Sequence, residues 1–186
     1  SIIIDGASTD NSVGIIKELE WSFGGRMKWI SEPDKGIYNA MNKGIGLATG
    51  DYLQFLNSGD CLLPKEVTSY MLDALKKNGY PSILYGNMLN DMPGTKVLRD
   101  KCFAGKEITF LDFYTGTLNH SSTYIKNSLF EKYGLYDEGL RIVSDWKWFL
   151  QAIIFGKENY VYANIDVVLF DMTGISESNK TLANES

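Results

Sequence analysis

The sequence predicts an α/β fold with a mostly parallel central sheet and helices on both faces. Three observations carry that prediction. Short β-branched or aromatic runs alternate with helix-period patterns through the first half of the chain. Each run stops in a polar loop of Asp, Asn, Ser and Gly. At 186 residues the chain has the length of one domain and can bury a sizeable core.

The elements follow in order. Ile2-Ile3-Ile4 is too short for a helix and suits a buried parallel strand. It ends at Asp5, and the loop from Gly6 to Ser12 offers several N-caps for a helix from Val13 to Glu20. Met27 to Ile30 is the second strand, stopped by Pro33 and Gly36. The next helix runs from Ile37 to Ala48, with Ile37, Met41 and Ile45 on one face and Gly50 closing it. Tyr52 to Leu56 is the third strand. Pro64 opens a helix whose buried stripe is Val67, Tyr70, Met71 and Leu75. Ser82 to Gly86 is the fourth strand. Right-handed crossovers then bring Asp5, Asp34 to Gly36 and Asn57 to Asp60 to one sheet edge, where ligands bind in open α/β sheets.

The second half is less regular. Paired strands are expected around Met92-Pro93-Gly94-Thr95, a short helix over Ile108 to Tyr114, and a strand from His120 to Ile125. A helix from Asn127 to Tyr133 closes at Gly134, and Tyr136 to Leu140 is a turn that Asp137 and Glu138 shape. Asp145 to Phe155 is an amphipathic helix with Ser144 as N-cap, and Tyr160 to Phe170 holds two further strands. A polar tail follows, Gly174 to Ser186. Trp146 and Trp148 are packing residues first and acceptor-stacking residues second.

Composition narrows the function. The net charge is -5, which argues against a nucleic-acid footprint. The chain has two cysteines, Cys61 and Cys102, without metal-ligand spacing, so a reduced compartment is the simpler expectation. No apolar run approaches the ~20 residues of a membrane span. Within Phe55-Leu56-Asn57-Ser58-Gly59-Asp60, Asp60 sits where a hard cation or a diphosphate can be held, and Gly59 lets a bulky group approach the backbone.

Four pieces, in this order, resemble the family 2 glycosyltransferases of the GT-A fold. They are Ile3 to Asp10, Glu32 to Gly44, Phe55 to Asp60, and Ser144-Asp145-Trp146. The second is the most specific, and the nearest likeness is to bacterial enzymes of exopolysaccharide and O-antigen assembly. The resemblance implies one transferase domain over residues 1–186. Residues 1–86 would hold a nucleotide-diphosphate-sugar donor and 87–186 the acceptor. It implies that Asp5 receives the donor base, with Ser8 in the same loop, and that Asp34, Lys35, Gly36 and Asn39 close over the nucleoside, with Asn57 beside them. Asp60 would hold a divalent metal, Mg²⁺ or Mn²⁺, on the diphosphate. Asp145 would be the catalytic base, ionised at a helix N-terminus. His120 and Trp146 would lie toward the acceptor. The implied reaction is inverting transfer to a hydroxyl of a growing cell-surface or lipid-linked glycan. It implies a bacterial, cytoplasmic enzyme that can work at the inner membrane face.

Two departures from the family pattern set further expectations. Asn57-x-Gly59 stands where the family carries an acidic pair, so metal binding should be weaker. The family's opening strand and helix, about 30 residues, are missing here, so the domain is expected to be N-terminally truncated. Two rival readings are a nucleotide-binding module without chemistry and a sugar-nucleotide pyrophosphorylase. The second lacks the basic, Gly-rich phosphate loop it would need.

Overall fold

The computed structural model describes residues 1–91, 98–100 and 103–171. The turn expected around Met92 to Thr95, Cys102 and the polar tail lie outside the described residues. β1 (Ile2–Asp5) leads through α1 (Ser12–Phe23) to β2 (Lys28–Ser31), and β1 and β2 pair in parallel. α2 (Ile37–Leu47) is followed by β3 (Tyr52–Leu53), β4 (Cys61–Leu62) and α3 (Val67–Lys77). The second half brings β5 (Ile83–Asp91), β6 (Leu98–Asp100), α4 (Phe110–Thr115), β7 (Thr123–Lys126) and α5 (Ser128–Tyr133). α6 (Ser144–Phe149) runs into a π-helical turn, Leu150–Phe155, before β8 (Tyr160–Asp171).

The α/β class is as expected, but the sheet is mixed rather than mostly parallel. The larger sheet has the order β3-β7-β5-β8-β4, with β6 also on β5. β5 and β8 pair in parallel, while β3–β7, β4–β8, β5–β6 and β5–β7 are antiparallel. The reason lies in the second half. β7 returns antiparallel beside β5, and β4 is a two-residue strip antiparallel to β8. Neither follows the helical crossover that keeps strands parallel.

Side-chain alternation along β5 places helices on both faces. Leu84 turns to one side, where Val67, Met71 and Leu75 of α3 pack with Tyr124, Val167 and Val168. Ile83 and Tyr85 turn to the other, where α2, α5 and α6 pack around Phe130, Tyr136, Trp148 and Phe149. Trp148 is a core residue, stacked on Phe130 at 4.7 Å between ring centroids. Tyr70, expected in the buried stripe of α3, is exposed, and so is Ile37 of α2.

Several local expectations change for identifiable reasons. The third strand keeps only Tyr52 and Leu53. Gln54 donates from Nε2 to the Ser121 carbonyl at 2.7 Å, and Phe55 packs edge-on against Phe130 and Tyr136, so the chain leaves the sheet early. The strand expected from His120 starts at Thr123 instead. Ser122 N–H and the Thr123 hydroxyl both donate to the Asn119 carbonyl, curling His120–Ser122 into a 3-10 turn. Ser144 does not cap its helix, because its hydroxyl accepts the Asp137 N–H at 2.6 Å. Finally, Tyr160–Asp171 is one strand rather than two.

That single strand is bulged. Tyr85 pairs with Tyr162 but Asn87 pairs with Asp166, so three residues of β8 arch over Gly86 alone. A Cβ on Gly86 would lie 2.5 Å from the Val167 side chain and 2.6 Å from the Ile165 carbonyl oxygen. Gly86→Ala therefore overpacks backbone that cannot yield easily. The expected loss is about 1–3 kcal/mol, read as a lower urea midpoint with an unchanged slope.

Candidate functional site

A cleft of about 1530 Å³ is lined by β1, α2, β3, and the segments 54–60 and 138–142. Ile2, Ile4, Ile45 and Leu53 wall its apolar part. β1 and β3 both border this part, and among the described residues neither has a second strand partner. Asp34, Lys35, Gly36 and Asn39 come to the polar part from one side, and Asn57 and Asp60 from the next. His120 and Asp145 meet them from the second half of the chain. The topology thus gathers eight residues expected from sequence into one cleft large enough for a nucleotide and a second substrate.

Three expected residues stand elsewhere. Asp5 is buried beside the cleft rather than bordering it. Its carboxylate accepts from the Ser31 hydroxyl at 2.7 Å, and from the hydroxyl and N–H of Ser8. The Ser31 bond, then those from Ser8, hold its pKa below the ordinary value. Asp5 and Ser8 therefore tie their own loop to β2. Trp146 does not border the cleft. Its indole N–H donates to the Phe113 carbonyl at 2.7 Å, and its ring meets Phe113 edge-on.

Asp145 is the centre of the polar part. It is the second residue of the short helix α6, which the aromatic core holds through Trp148 and Phe149. The residue is only 8% exposed. Its Oδ1 accepts the Tyr38 hydroxyl at 2.8 Å and the Trp146 N–H at 2.9 Å. Its Oδ2 lies 2.8 Å from Nδ1 of His120. Burial pushes the carboxyl pKa up. The hydrogen bond from His120, then those from Tyr38 and Trp146, outweigh it and hold the pKa below the ordinary value. Asp145 is thus a carboxylate at neutral pH. Tyr38 pays for this placement. Burial first, then the neighbouring charge of Asp145, push its phenol far above the ordinary range, so it stays a neutral donor.

The wall at α2 is fixed by a second set of bonds. Gly36 precedes α2 at φ 133°, a conformation that favours glycine. Glu138 accepts from Nδ2 of Asn39 and of Asn42, each at 2.9 Å. The Asn42 side-chain amide also donates to the Tyr136 carbonyl at 2.9 Å and accepts the Tyr136 N–H at 3.0 Å. Lys43 bonds Asp34 at 2.6 Å and Glu32 at 2.9 Å. The sequence reading placed Glu138 in a turn and passed over Tyr38, Lys43 and Arg141, the last of which lines the cleft mouth. One signal was available: Tyr38 and Asn42 are polar-tipped residues four apart on the helix face that buries Met41 and Ile45.

Comparison with known proteins agrees with this architecture. The family model described as glycosyl transferase family 2 matches residues 1–138. An uncharacterized glycosyltransferase of Mycobacterium tuberculosis is 33% identical over 183 residues, covering 94% of this chain and 64% of its own. A PGL/p-HBAD biosynthesis glycosyltransferase of Mycobacterium bovis is 26% identical over 147 residues, covering 78% of this chain and 54% of its own. This chain therefore spans only about half to two thirds of the length of these relatives. Among solved structures, S. aureus TarS in complex with UDP superposes with a TM-score of 0.70 at 17% identity, over 91% of this chain and 50% of that one. That likeness bears on the fold, which is of GT-A type. By the family-model match over most of its length, the chain belongs to glycosyl transferase family 2.

Proposed function

We propose that the chain transfers a sugar, with inversion, from a UDP-sugar to a hydroxyl of a cell-surface or lipid-linked glycan. The observation that carries this reading is the buried, ionised Asp145, which borders the same cleft as Asp34 to Gly36 and Asn57 to Asp60. A base needs a carboxylate within reach of the acceptor, and Oδ2 keeps acceptor capacity beyond its bond to His120. Residues 1–86 hold the donor and 87–186 the acceptor. The acceptor oxygen attacks the anomeric carbon as its proton passes to Asp145. The bond from that carbon to the diphosphate oxygen breaks, and the diphosphate leaves with the electron pair. The UDP complexes of TarS favour uridine, and a lipid-linked glycan is the acceptor this reading takes. Such an acceptor would bring the enzyme to the inner face of the membrane. Among the described residues no helix is long and apolar enough to cross it.

A divalent metal fits the donor end only together with the nucleotide. Among the described residues no group of three or more His, Cys, Asp or Glu can hold an ion. Asp60 supplies one carboxylate, and Asn57 turns its amide nitrogen to His120, leaving its carbonyl oxygen as the second donor. Mg²⁺ or Mn²⁺ accepts such a sparse set when substrate phosphates and waters complete the shell. Bound there, the ion would take up charge on the leaving diphosphate.

Two outcomes follow. Asp145→Asn keeps the side chain's shape but removes the proton acceptor. UDP affinity should stay within about twofold, while kcat falls about 10²–10⁴-fold. Equal kcat in the variant would overturn Asp145 as the base, and a wild-type chain that binds UDP but transfers no sugar would favour a nucleotide-binding module without chemistry. In calorimetry, UDP should bind strongly only with Mn²⁺ present, and Asp60→Ala should abolish that metal dependence. Metal-free UDP binding of equal strength would remove the metal from this reading.

A further inference from the structure

We infer that His120 is a positioning residue for Asp145, locked in its Nδ1–H tautomer by Asn57 of the donor-side turn. The argument starts from proton counting. His120 lies between two groups of opposite character: Oδ2 of Asp145 is 2.8 Å from Nδ1, and the amide nitrogen of Asn57 is 3.0 Å from Nε2. A carboxylate only accepts, so Nδ1 must carry a proton. An amide NH₂ only donates, so Nε2 must offer its lone pair. The two partners therefore select one neutral tautomer, the one opposite to that a free imidazole side chain prefers.

The lock has a geometric consequence. Asn57 lies three residues before Asp60, and the Asp60 N–H closes the turn onto the Asn57 carbonyl at 3.1 Å. His120 thus spans from the donor turn to Asp145, while Tyr38 spans from α2 to the other carboxylate oxygen. With both oxygens held, the carboxylate plane is fixed and one lone pair of Oδ2 remains for an acceptor hydroxyl. His120 acts through Asp145, and the inference rests on the reading of that residue as the base.

His120 is the sole histidine of the chain, so its imidazole gives a single set of ring signals. Long-range ¹H–¹⁵N NMR of the whole chain, recorded at about pH 9 where an ordinary imidazole is neutral, reads the tautomer directly. The expected spectrum has a protonated Nδ1 and an unprotonated Nε2. Removing both partners, Asn57→Ala with Asp145→Ala, should relax it toward the Nε2–H form. An Nε2–H tautomer in the wild-type protein, or a spectrum unmoved by the double variant, would overturn the inference. A kinetic arm separates positioning from bulk. His120→Ala should lower kcat about 100-fold by letting the carboxylate swing, with UDP affinity unchanged. His120→Asn puts an amide N–H near the place of Nδ1–H and should recover a large part of that loss. Equal losses in both variants would count against the inference. A chain that shows the locked tautomer but transfers no sugar fails the transferase reading alone.

Discussion

The cleft depends on keeping one carboxylate charged inside the protein. A buried charge is tolerated only when hydrogen bonds replace its water. Asp145 receives three donors, from α2, from the turn before β7, and from its own helix backbone. No single element could supply them, because the residues that meet are separated by 107 and 25 positions in sequence. The fold has to be complete before the charge can be held. The same need explains Tyr38, whose phenol is the neutral donor that α2 extends to this carboxylate.

The aromatic core serves this placement. α6 is only six residues long, and it continues into a π-helical turn rather than a regular helix. Such a helix has little stability of its own. Trp148 holds it, stacked on Phe130 and meeting Tyr133, Tyr136 and Phe149 edge-on, with its indole N–H on the Gly134 carbonyl at 2.9 Å. Wider π-type winding recurs at functional sites. Here it directly follows the turn that carries Asp145.

Much of this was legible in the sequence, for physical reasons. Strands and helices of the first half follow simple hydrophobic periods, so β1, α1, β2, α2 and α3 fall close to where pattern places them. The loops that follow those strands carry the expected cleft residues because α/β topology leaves them little choice. What could not be read is pairing over long sequence distance. The bulge of β8 over Gly86 depends on strands 77 residues apart, and nothing local marks it beyond a glycine. The 3-10 turn at His120 looked like a strand because Thr123 to Ile125 is one, and the local bonds from Ser122 and Thr123 to the Asn119 carbonyl that curl the chain compete with a strand without changing its pattern. Asp5 shows the converse. Its position at a strand end was correctly read, yet its oxygens are taken by serines of its own neighbourhood.

α2 ties the two halves together, and the way it does so constrains how the cleft can move. Its polar residues form two rows four apart, Tyr38 with Asn42 and Asn39 with Lys43. The first row reaches Asp145 and Tyr136 of the second half. The second reaches Glu138 on one side and Asp34 on the other. Rotating the helix by even a part of a turn would break bonds in both rows at once and strand a buried carboxylate. One wall of the cleft is therefore rigid from Tyr38 to Lys43. The segment 139–142 belongs to the same wall: the Tyr38 hydroxyl lies 2.5 Å from the Ile142 carbonyl oxygen, and the Gly139 and Leu140 N–H groups donate to Asp137. Arg141, exposed on that segment and bordering the cleft, is the side chain it leaves turned to meet a substrate.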